Sequence, residues 1–308
     1  MKKLAIITVT YNAEKNLSFF LPSLEKNREA IQGIYFVDNN SADNTLYTLE
    51  SWRSFSGVNI IKNSKNYGYA YAINIGIKKA LDDGYDYFCV TNNDIVFNEG
   101  FFTELQNEAM THNIDALGVP ASINETDLGL GYLLDTNTLL PKKTPHLQRS
   151  ALSSLLTTNP LPPIDAPHGG TILFSRRFFE AVGLYDPQLF FGGDELDFLY
   201  RIHKHNASYN QEIKCAVSLS SFYKMDNLTK HNTGDKIIKA RGMLQGNARV
   251  YLKHGFTPFQ VGLYREQYRL IQGLSKGNLV RYVVLYFFAI RGLCIEVARY
   301  YIARFHRN

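Results

Sequence analysis

Cysteine is scarce in this 308-residue chain, because only Cys89, Cys215 and Cys294 are present and they lie far apart. Thiols so few and so scattered exclude a disulfide framework and a cysteine-based zinc site. Internal repeats and low-complexity segments are also absent from the sequence. The length suits one large α/β domain or two smaller units, and 45% hydrophobic with 20% charged residues is ordinary for a soluble globular protein.

Long hydrophobic runs are missing as well. Met1-Lys2-Lys3 leads into an apolar run of about six residues, too short for the core of a signal peptide, so we expect a cytoplasmic protein. Residues 258–308 carry eight basic and two acidic residues, a net charge of +6, against +5 for the whole chain. Apolar residues recur there at helical spacing from Leu279 to Val297, but charged residues interrupt them, which argues against a membrane-spanning helix.

This basic tail predicts an amphipathic helix that makes a peripheral contact with the anionic inner face of the cell membrane. The alternative is a terminal helix that packs on the domain and leaves its arginines in solvent. Because the basic residues are concentrated in an otherwise apolar tail, we expect no nucleic-acid partner.

Four apolar runs in the first hundred residues each end in a cluster of polar side chains rich in Asn and Asp. Short β-branched and aromatic runs bounded by turn residues predict buried strands, and helical patterns between them predict a Rossmann-like, mostly parallel sheet flanked by helices. The carboxyl ends of parallel strands share one edge, where such sheets bind ligands, so we expect one site there. The clusters are Thr10-Tyr11-Asn12, Asp38-Asn39-Asn40, Asn63 with Asn66, and Asn92-Asn93-Asp94.

Turn residues and apolar spacing also predict the local structure. Ser41 has the side chain of an N-cap for a helix over 43–53. Periodicity fades over 121–167, where prolines accumulate, and a long irregular segment of this kind is usually a functional loop or lid. The other expected elements are helices over 68–82, 100–112, 176–182 and 198–206, a strand over 169–174, and a helical tail.

Asn92 and Asp94 follow the fourth run two residues apart, so in extended chain both can point at one ligand. Carboxylate and amide oxygens suit Mg²⁺ or Mn²⁺, which take their other ligands from phosphates and water. We predict that Asp94 binds the metal and that Asn92 contacts ribose or phosphate. The alternative is an Asx-turn that ends the strand.

Asp38 ends the second run, where a carboxylate can accept hydrogen bonds from a uracil or thymine N3–H or from ribose hydroxyls. Capping of the following helix, together with Ser41 and Asp43, is the alternative. Gly68, two residues after Asn66, is typical of a position where the backbone closely approaches a ligand or another segment. The helix predicted to begin there has free N–H groups that suit a phosphate or a carbonyl.

A second acidic centre, Asp194-Glu195-Leu196-Asp197, follows Gly192-Gly193. Three carboxylates in four residues repel one another unless a metal, a cation or a proton-transfer role compensates them. We predict that one of them is a general base that deprotonates an acceptor hydroxyl. A helix N-terminus stabilised by acidic side chains is the alternative.

Together these motifs resemble glycosyltransferase family 2, whose members have the GT-A fold. The four clusters resemble its nucleotide-sugar half, and residues 169–179, 182–186 and 190–201 resemble its acceptor half, in the expected order over residues 4–205. Asp194-Glu195-Leu196-Asp197-Phe198 matches the family's acidic catalytic motif. Rhamnosyl- and galactofuranosyl-transferase-like members come closest to the form Asn92-Asn93-Asp94.

The resemblance implies a role for each matched residue. Thr10, Tyr11 and Asp38 would hold the base and ribose, and Asp94 would bind Mg²⁺ or Mn²⁺ on the diphosphate. The base would be Asp194 or Glu195, and the resemblance does not choose between them. The full predicted set is Thr10, Tyr11, Asn12, Asp38, Asn66, Gly68, Asn92 and Asn93 for the donor, Asp94 for the metal, and Asp194, Glu195 and Asp197 for catalysis.

Two features depart from the family pattern. Asn92 stands where the family has the first Asp of Asp-x-Asp. Many members also place a His in the strand after the catalytic helix, but residues 214–221 contain none. His231 from the following loop, or His168 from the other side, could substitute, although each is also explained as an ordinary structural histidine.

The implied reaction is an inverting transfer of a sugar from a UDP- or dTDP-sugar to a hydroxyl of a glycan or lipid-linked glycan, in cell-surface polysaccharide assembly. A nucleotidyltransferase acting on sugar phosphates is one alternative, but it would carry a Gly-rich basic loop where Thr10-Tyr11-Asn12 stands. A catalytically inactive nucleotide-sugar-binding protein is the other, but the acids at 94 and 194–197 are all retained. We expect a nucleotide-sugar half over 1–118, an acceptor and catalytic half over 119–225, and a helical tail over 226–308.

Overall fold

The computed structural model describes residues 2–122, 127–129, 131–135, 140–144, 147–148, 161–220 and 233–256. The basic tail predicted over 258–308 and His231 lie outside these ranges. Within them, no helix combines the length and the apolar character that crossing a membrane requires.

Strands and helices alternate through the first half of the chain. The helices are α1 (Glu14–Glu25), α2 (Thr45–Ser51), α3 (Tyr69–Asp82), α4 (Phe101–His112), α5 (Arg176–Ala181), α6 (Asp194–Ser208) and α7 (Thr233–Lys253). The strands of the main sheet are β1 (Leu4–Thr10), β2 (Gly33–Asp38), β3 (Val58–Lys62), β4 (Tyr87–Thr91), β5 (Ala116–Gly118), β12 (Thr171–Ser175) and β13 (Cys215–Val217). The short strands between β5 and β12 are β6 (Ala121–Ser122), β7 (Asp127–Gly129), β8 (Gly131–Asp135), β9 (Leu140–Lys143), β10 (Leu147–Gln148) and β11 (Ala166–Pro167).

The main sheet has seven strands in the order β13-β5-β12-β4-β1-β2-β3. β1 to β4 pair in parallel, β12 runs antiparallel between β4 and β5, and β13 is parallel to β5. The predicted mixed α/β architecture with a mostly parallel central sheet is therefore confirmed. Because β1 to β4 are parallel, the four polar clusters lie at one edge of the sheet, as the sequence predicts.

The alternation of side chains along the strands divides the core into two layers. Ile7 and Tyr35 pack with α3 and α6 on one face, whereas Ile6 and Phe36 pack with α1 and α4 on the other. Both faces are buried, which explains why the strands read as continuous apolar runs. On the α3 side, Gly76 allows close contact with the sheet, since a Cβ there would lie 2.6 Å from the Ile7 methyl carbon Cγ2.

Three local predictions differ from the structure. The segment 121–167, expected to be irregular, contains β6 to β11 in two three-stranded sheets within its described residues, and strands of two to five residues are too short to give a periodic signal. α2 begins at Thr45, and the Ser41 hydroxyl donates to Asp38 instead of capping this helix. α6 begins at Asp194, four residues earlier than predicted, because Gly193 adopts the left-handed conformation from which the helix starts.

The predicted boundary at residue 118 falls inside the main sheet. β5 lies just before it, while β12 and β13 of the predicted second half belong to the same seven-stranded sheet. The first two predicted units thus share one sheet, and the three-part division remains a prediction about function.

Candidate active site

Thr10 and Asp38 are paired in the parallel register at the carboxyl ends of β1 and β2. Asp38 has no exposed surface, and its carboxylate accepts hydrogen bonds from the Thr10 hydroxyl at 3.0 Å, the Ser41 hydroxyl at 2.5 Å and the Ser41 backbone N–H at 2.9 Å. The turn after β2 therefore closes over this carboxylate. In this arrangement Asp38 exposes no surface for the direct contact with a base or ribose that the sequence predicts.

Tyr11 and Asn12 follow β1 and lie against the turn after β2. Asn12 has a φ of 50°, its backbone N–H donates to the Ser41 hydroxyl at 2.9 Å, and its side-chain oxygen accepts the Ala42 N–H at 2.8 Å. Asn12 thus joins the loops after β1 and β2. Tyr11 is 53% exposed, which leaves its ring available to a ligand at this edge.

Asn39 connects the loops after β2 and β3, a role that the sequence did not reveal. Its amide nitrogen donates to the Asn66 side-chain oxygen at 2.9 Å and the Gly68 carbonyl at 3.2 Å. Its amide oxygen accepts from the Asn63 side chain and the Tyr67 backbone N–H, both at 3.1 Å. Because Asn39 is buried, these four bonds satisfy a group that would otherwise be costly to bury. In the sequence, the only feature that marked Asn39 was its position in the cluster Asp38-Asn39-Asn40.

Gly68 brings the nucleotide-side clusters against the segment that precedes α6. A Cβ at Gly68 would lie 2.7 Å from the Phe190 ring carbon Cδ2 and 2.8 Å from the Phe190 Cα, and its φ is 89°. The Tyr69 N–H donates to the Phe190 carbonyl at 3.0 Å. The close approach that the sequence predicts at Gly68 is therefore made to the chain itself.

At the end of β4, the three residues of the last cluster differ in their environments. The Asn93 side chain donates to the Val9 carbonyl at 2.7 Å and accepts from the Asn16 amide at 2.8 Å, so it fastens β4 to β1 and α1. The Asn92 backbone N–H donates to the Gly170 carbonyl at 3.0 Å. Asn92 and Asp94 are half-buried at the edge, whereas the amide of Asn93 is engaged within the protein.

The acidic run reaches the same edge through Gly169. The Gly169 N–H donates to Glu195 Oε1 at 3.1 Å, and a Cβ at Gly169 would lie only 2.7 Å from that oxygen. Any side chain at this position would displace the carboxylate. Since Gly170 bonds Asn92, the loop before β12 links the acidic run to the end of β4.

Asp194 is the first residue of α6, and the residue is half-buried. Burial, followed by the negative charge of Glu195, raises the pKa of Asp194 to about 7, with a smaller contribution from Asp197 and an opposing one from His168. A carboxylate whose pKa lies near neutral pH is suited to accept a proton at that pH.

Asp197 is in a different environment from its two neighbours in the acidic run. It is fully buried, and it pairs with Arg201 at 2.8 Å, Lys253 at 2.7 Å and His254 at 3.0 Å. Although burial opposes the charged form, the hydrogen bond from His254 and the charges of Arg201 and Lys253 hold the pKa of Asp197 well below its usual range. Asp197 therefore joins α6 to α7 and presents no surface to a substrate.

The residues present fit a weakly coordinated divalent ion. Within the described ranges, no group of three or more His, Cys, Asp and Glu side chains could hold a metal ion. Asp94 is half-buried and follows the neutral amide residue Asn92 by two positions, and such oxygen donors suit Mg²⁺ or Mn²⁺ when a diphosphate and water complete the shell. His168 acts electrostatically on Asp194, and its ring is parallel to that of Tyr132 with the two centroids 6.5 Å apart.

The fold and this edge define an α/β protein with a polar site at the carboxyl ends of its parallel strands. The model of glycosyl transferase family 2 matches residues 5–183, more than half of the chain. The chain therefore belongs to glycosyl transferase family 2, as its motifs indicate. The match ends before α6, so it includes neither the acidic run nor α7.

Among curated proteins, the chain is similar to the low-salt glycan biosynthesis hexosyltransferase Agl10 of Haloferax volcanii. The two are 26% identical over 217 residues, which cover 68% of this chain and 64% of that protein. The chain thus corresponds to less than two thirds of the length of this relative.

Solved structures show the same fold at low identity. GalNAc-T7 with UDP, GalNAc and Mn²⁺ matches with a TM-score of 0.59 and 18% identity, covering 82% of this chain and 48% of that one. The mannosyltransferase PcManGT of Pyrobaculum calidifontis, in complex with GDP-Man and Mn²⁺, matches with a TM-score of 0.54 and 14% identity, and the match covers 98% of this chain and 85% of that one. S. aureus TarS 1-349 matches with a TM-score of 0.51 and 14% identity, and the match covers 96% of this chain and 81% of that one. The fold is therefore GT-A.

Proposed function

We propose that the protein is a metal-dependent, inverting glycosyltransferase. It moves a sugar from a UDP- or dTDP-sugar to a hydroxyl of a glycan or lipid-linked glycan in cell-surface polysaccharide assembly. Family membership and the similarity to a hexosyltransferase of glycan biosynthesis support the activity. The UDP or dTDP donor and the acceptor both follow from the resemblance.

One observation carries the proposal: two sets of contacts join the donor-side clusters to the acidic run. On one side, Gly169 and Gly170 bond Glu195 and Asn92 respectively. On the other side, Gly68 and Tyr69 contact Phe190, four residues before Asp194. A nucleotide held at the ends of β1 to β4 would therefore place its sugar toward Asp194, the geometry that group transfer requires.

On the donor side, we assign the nucleoside to Tyr11 and to the turn that Asp38 holds. Tyr11 offers an exposed ring for the base, while Thr10 and Asp38 fix the turn. The Asn39 network holds Asn66 and Gly68 in place on the donor side, and Asn12 and Asn93 act by fastening the neighbouring loops.

Asp94 would hold Mg²⁺ or Mn²⁺, with Asn92 beside it. When bound, the ion supplies positive charge that neutralises the departing diphosphate. The protein contributes a rigid edge, because β4 pairs with β1 and β12 along its length. This pairing fixes the end of the strand from which the loop carrying Asp94 begins.

We assign proton acceptance to Asp194 and positioning of its charge to Glu195. The Asp194 carboxylate takes the proton of the acceptor hydroxyl while that oxygen bonds to the anomeric carbon of the donor sugar. The bond from the anomeric carbon to the diphosphate oxygen breaks at the same time, so the configuration inverts. Burial is the main cause of the raised Asp194 pKa, and Glu195, held by Gly169, adds the neighbouring negative charge that raises it further.

The remaining parts of the chain are assigned from the sequence. Residues 119–225 would bind the acceptor, and the basic tail over 258–308 would hold the protein on the inner face of the membrane, close to a lipid-linked substrate.

The activity is tested by incubating the full chain with a panel of UDP-, dTDP- and GDP-sugars and measuring release of the nucleoside diphosphate. Proton NMR of the product then gives the anomeric configuration. Release of UDP or dTDP with inverted product supports the proposal, whereas release of GDP alone would refute the proposed donor. Retained configuration would refute the single displacement, and release of pyrophosphate from a nucleoside triphosphate and a sugar phosphate would indicate a nucleotidyltransferase.

A further inference from the structure

α7 crosses the loop that starts the acidic helix with its backbone almost in contact. A Cβ at Gly246 would lie 2.1 Å from the Gly192 carbonyl oxygen, and a Cβ at Gly193 would lie 2.8 Å from the Gly246 carbonyl carbon. At Gly242 a Cβ would meet the Phe191 Cβ at 3.1 Å. The two segments reach this separation because both carry glycine at the crossing.

The end of α7 is fixed to α6 by charge. Lys253 donates to Asp197 at 2.7 Å and to Asp186 at 2.9 Å, and His254 contacts Asp197 at 3.0 Å while its ring stacks on Tyr200. Asp197 is fully buried, so its charge depends on these partners and on Arg201. Removing one partner from a buried ion pair is strongly destabilising to the remaining charge.

Asp197 in turn belongs to the first turn of α6. It lies three residues after Asp194, and its N–H donates to the Gly193 carbonyl at 2.9 Å. Whatever holds Asp197 therefore also holds the peptide that precedes Asp194. α7 thus touches the proton-accepting segment twice, at the glycines before it and at the carboxylate one turn after it.

We propose that α7 is a positioning element for catalysis, in which Lys253 and His254 act through Asp197, and Gly246 through the loop Gly192-Gly193, to hold Asp194 against the donor. The inference rests on the proposed function, because it needs Asp194 to act as the base. Lys253 and His254 touch no reacting atom in this account, so they are positioning residues.

The charges around the base make this role measurable. Asp194 faces Glu195 and Asp197 on its own helix and His168 from the loop before β12, while Asp197 faces Arg201 on α6 and Lys253 and His254 from α7. Removing the Lys253 charge leaves the negative charge of Asp197 less compensated. That negative charge already raises the pKa of Asp194, so the acidic limb of the kcat profile should move to higher pH.

The test compares Lys253→Met and Lys253→Arg in the full chain with wild type. We expect Lys253→Met to lower kcat roughly 10–100-fold, the scale of a displacement near 1 Å. UDP affinity in the presence of Mn²⁺ should stay within about twofold of wild type, as expected if the donor clusters keep their geometry. Lys253→Arg should restore most of kcat because it returns the charge. The matched control is Lys79→Met, which removes another lysine–aspartate pair, the exposed one to Asp83 on α3.

Gly246→Ala is the second probe, since alanine favours a helix but its methyl would meet Gly192. It should lower kcat at least tenfold with UDP affinity retained, whereas Gly242→Ala, with the more distant contact, should lower kcat less. Wild-type kcat and an unmoved pH profile in both Lys253→Met and Gly246→Ala would overturn this inference and leave the proposed function standing. Parallel loss of kcat, UDP affinity and Tm would also overturn it, because the role would then be structural. A wild-type protein inert toward every donor would instead refute the proposed function, on which the inference depends.

Discussion

Replacing Asp194 with Asn should impair catalysis and stabilise the protein, with opposite dependence on pH. The pKa of Asp194 is raised from 3.8 to about 7 by burial and by Glu195. A carboxyl whose pKa is raised on folding contributes stability below the unfolded pKa, and this contribution is lost as pH rises through the folded pKa. Wild type should therefore lose stability at this site between about pH 4 and pH 7 and show no further change from it above pH 7.

The expected change in relative stability is worked out for pH 5 to pH 7, the part of this pH range that is easily measured. Between pH 5 and pH 7, two pH units at about 1.4 kcal/mol each give about 3 kcal/mol, which is an upper limit because Asp194 and Glu195 share the repulsion. The amide does not titrate, so the stability advantage of Asp194→Asn should grow by up to about 3 kcal/mol over this range. For a chain of this size that corresponds to a Tm difference that widens by roughly 5 °C.

The assay is thermal unfolding of both proteins at pH 5, 6, 7 and 8, with kcat measured at the same pH values. At pH 8 we expect Asp194→Asn to lower kcat by about 10²–10⁴-fold, the usual contribution of a general base. Asp82→Asn, at an exposed position near the end of α3, serves as the control and should track wild type. A Tm difference that stays constant from pH 5 to pH 8, together with wild-type kcat, would refute the reasoning.

Three further predictions concern Glu195, Asn39 and the tail. Glu195→Gln keeps an oxygen for the Gly169 N–H, so kcat should fall less than tenfold while the pH profile shifts toward lower pH; a loss larger than that of Asp194→Asn would make Glu195 the base. Asn39→Ala removes the bonds of Asn39 to four buried or half-buried partners, so it should lower the free energy of unfolding by about 2–4 kcal/mol and UDP affinity at least tenfold. An unchanged Tm by calorimetry would contradict the assigned network. Truncation before Pro258 should abolish salt-sensitive binding to vesicles containing anionic lipid in a sedimentation assay, and equal binding by the truncated and full chains would exclude the membrane role of the tail.

The arrangement of the donor clusters could be predicted because it follows from local pattern. Buried β-branched runs with helices between them determine a parallel sheet, and a parallel sheet places Asp38 and Asp94 at one edge whatever the details of the loops. The acidic run was also recognisable, since three carboxylates in four residues are unusual without a compensating role.

The contacts that separate the roles within those clusters could not be predicted, because they join residues distant in sequence. Asp194 and Asp197 are alike in the sequence, and the contacts of Asp197 with Lys253 and His254, 56 and 57 residues later, distinguish its buried ion pairs from the half-buried Asp194. Asn93 reads as a donor ligand until Val9 and Asn16 are seen to engage its amide. Short strands such as those over 121–148 give too few residues for any period to show.

The most direct measurement of the central claim is metal-dependent release of nucleoside diphosphate by wild type and Asp94→Ala. Asp86→Ala is the matched control, since Asp86 precedes the same strand at its opposite end and bonds the backbone of Lys3. We predict release from one class of nucleotide-sugar that stops with EDTA and in Asp94→Ala, returns with Mn²⁺ in wild type, and persists in Asp86→Ala. Release that is unchanged by both EDTA and Asp94→Ala, or no release by wild type from any donor, would contradict the account.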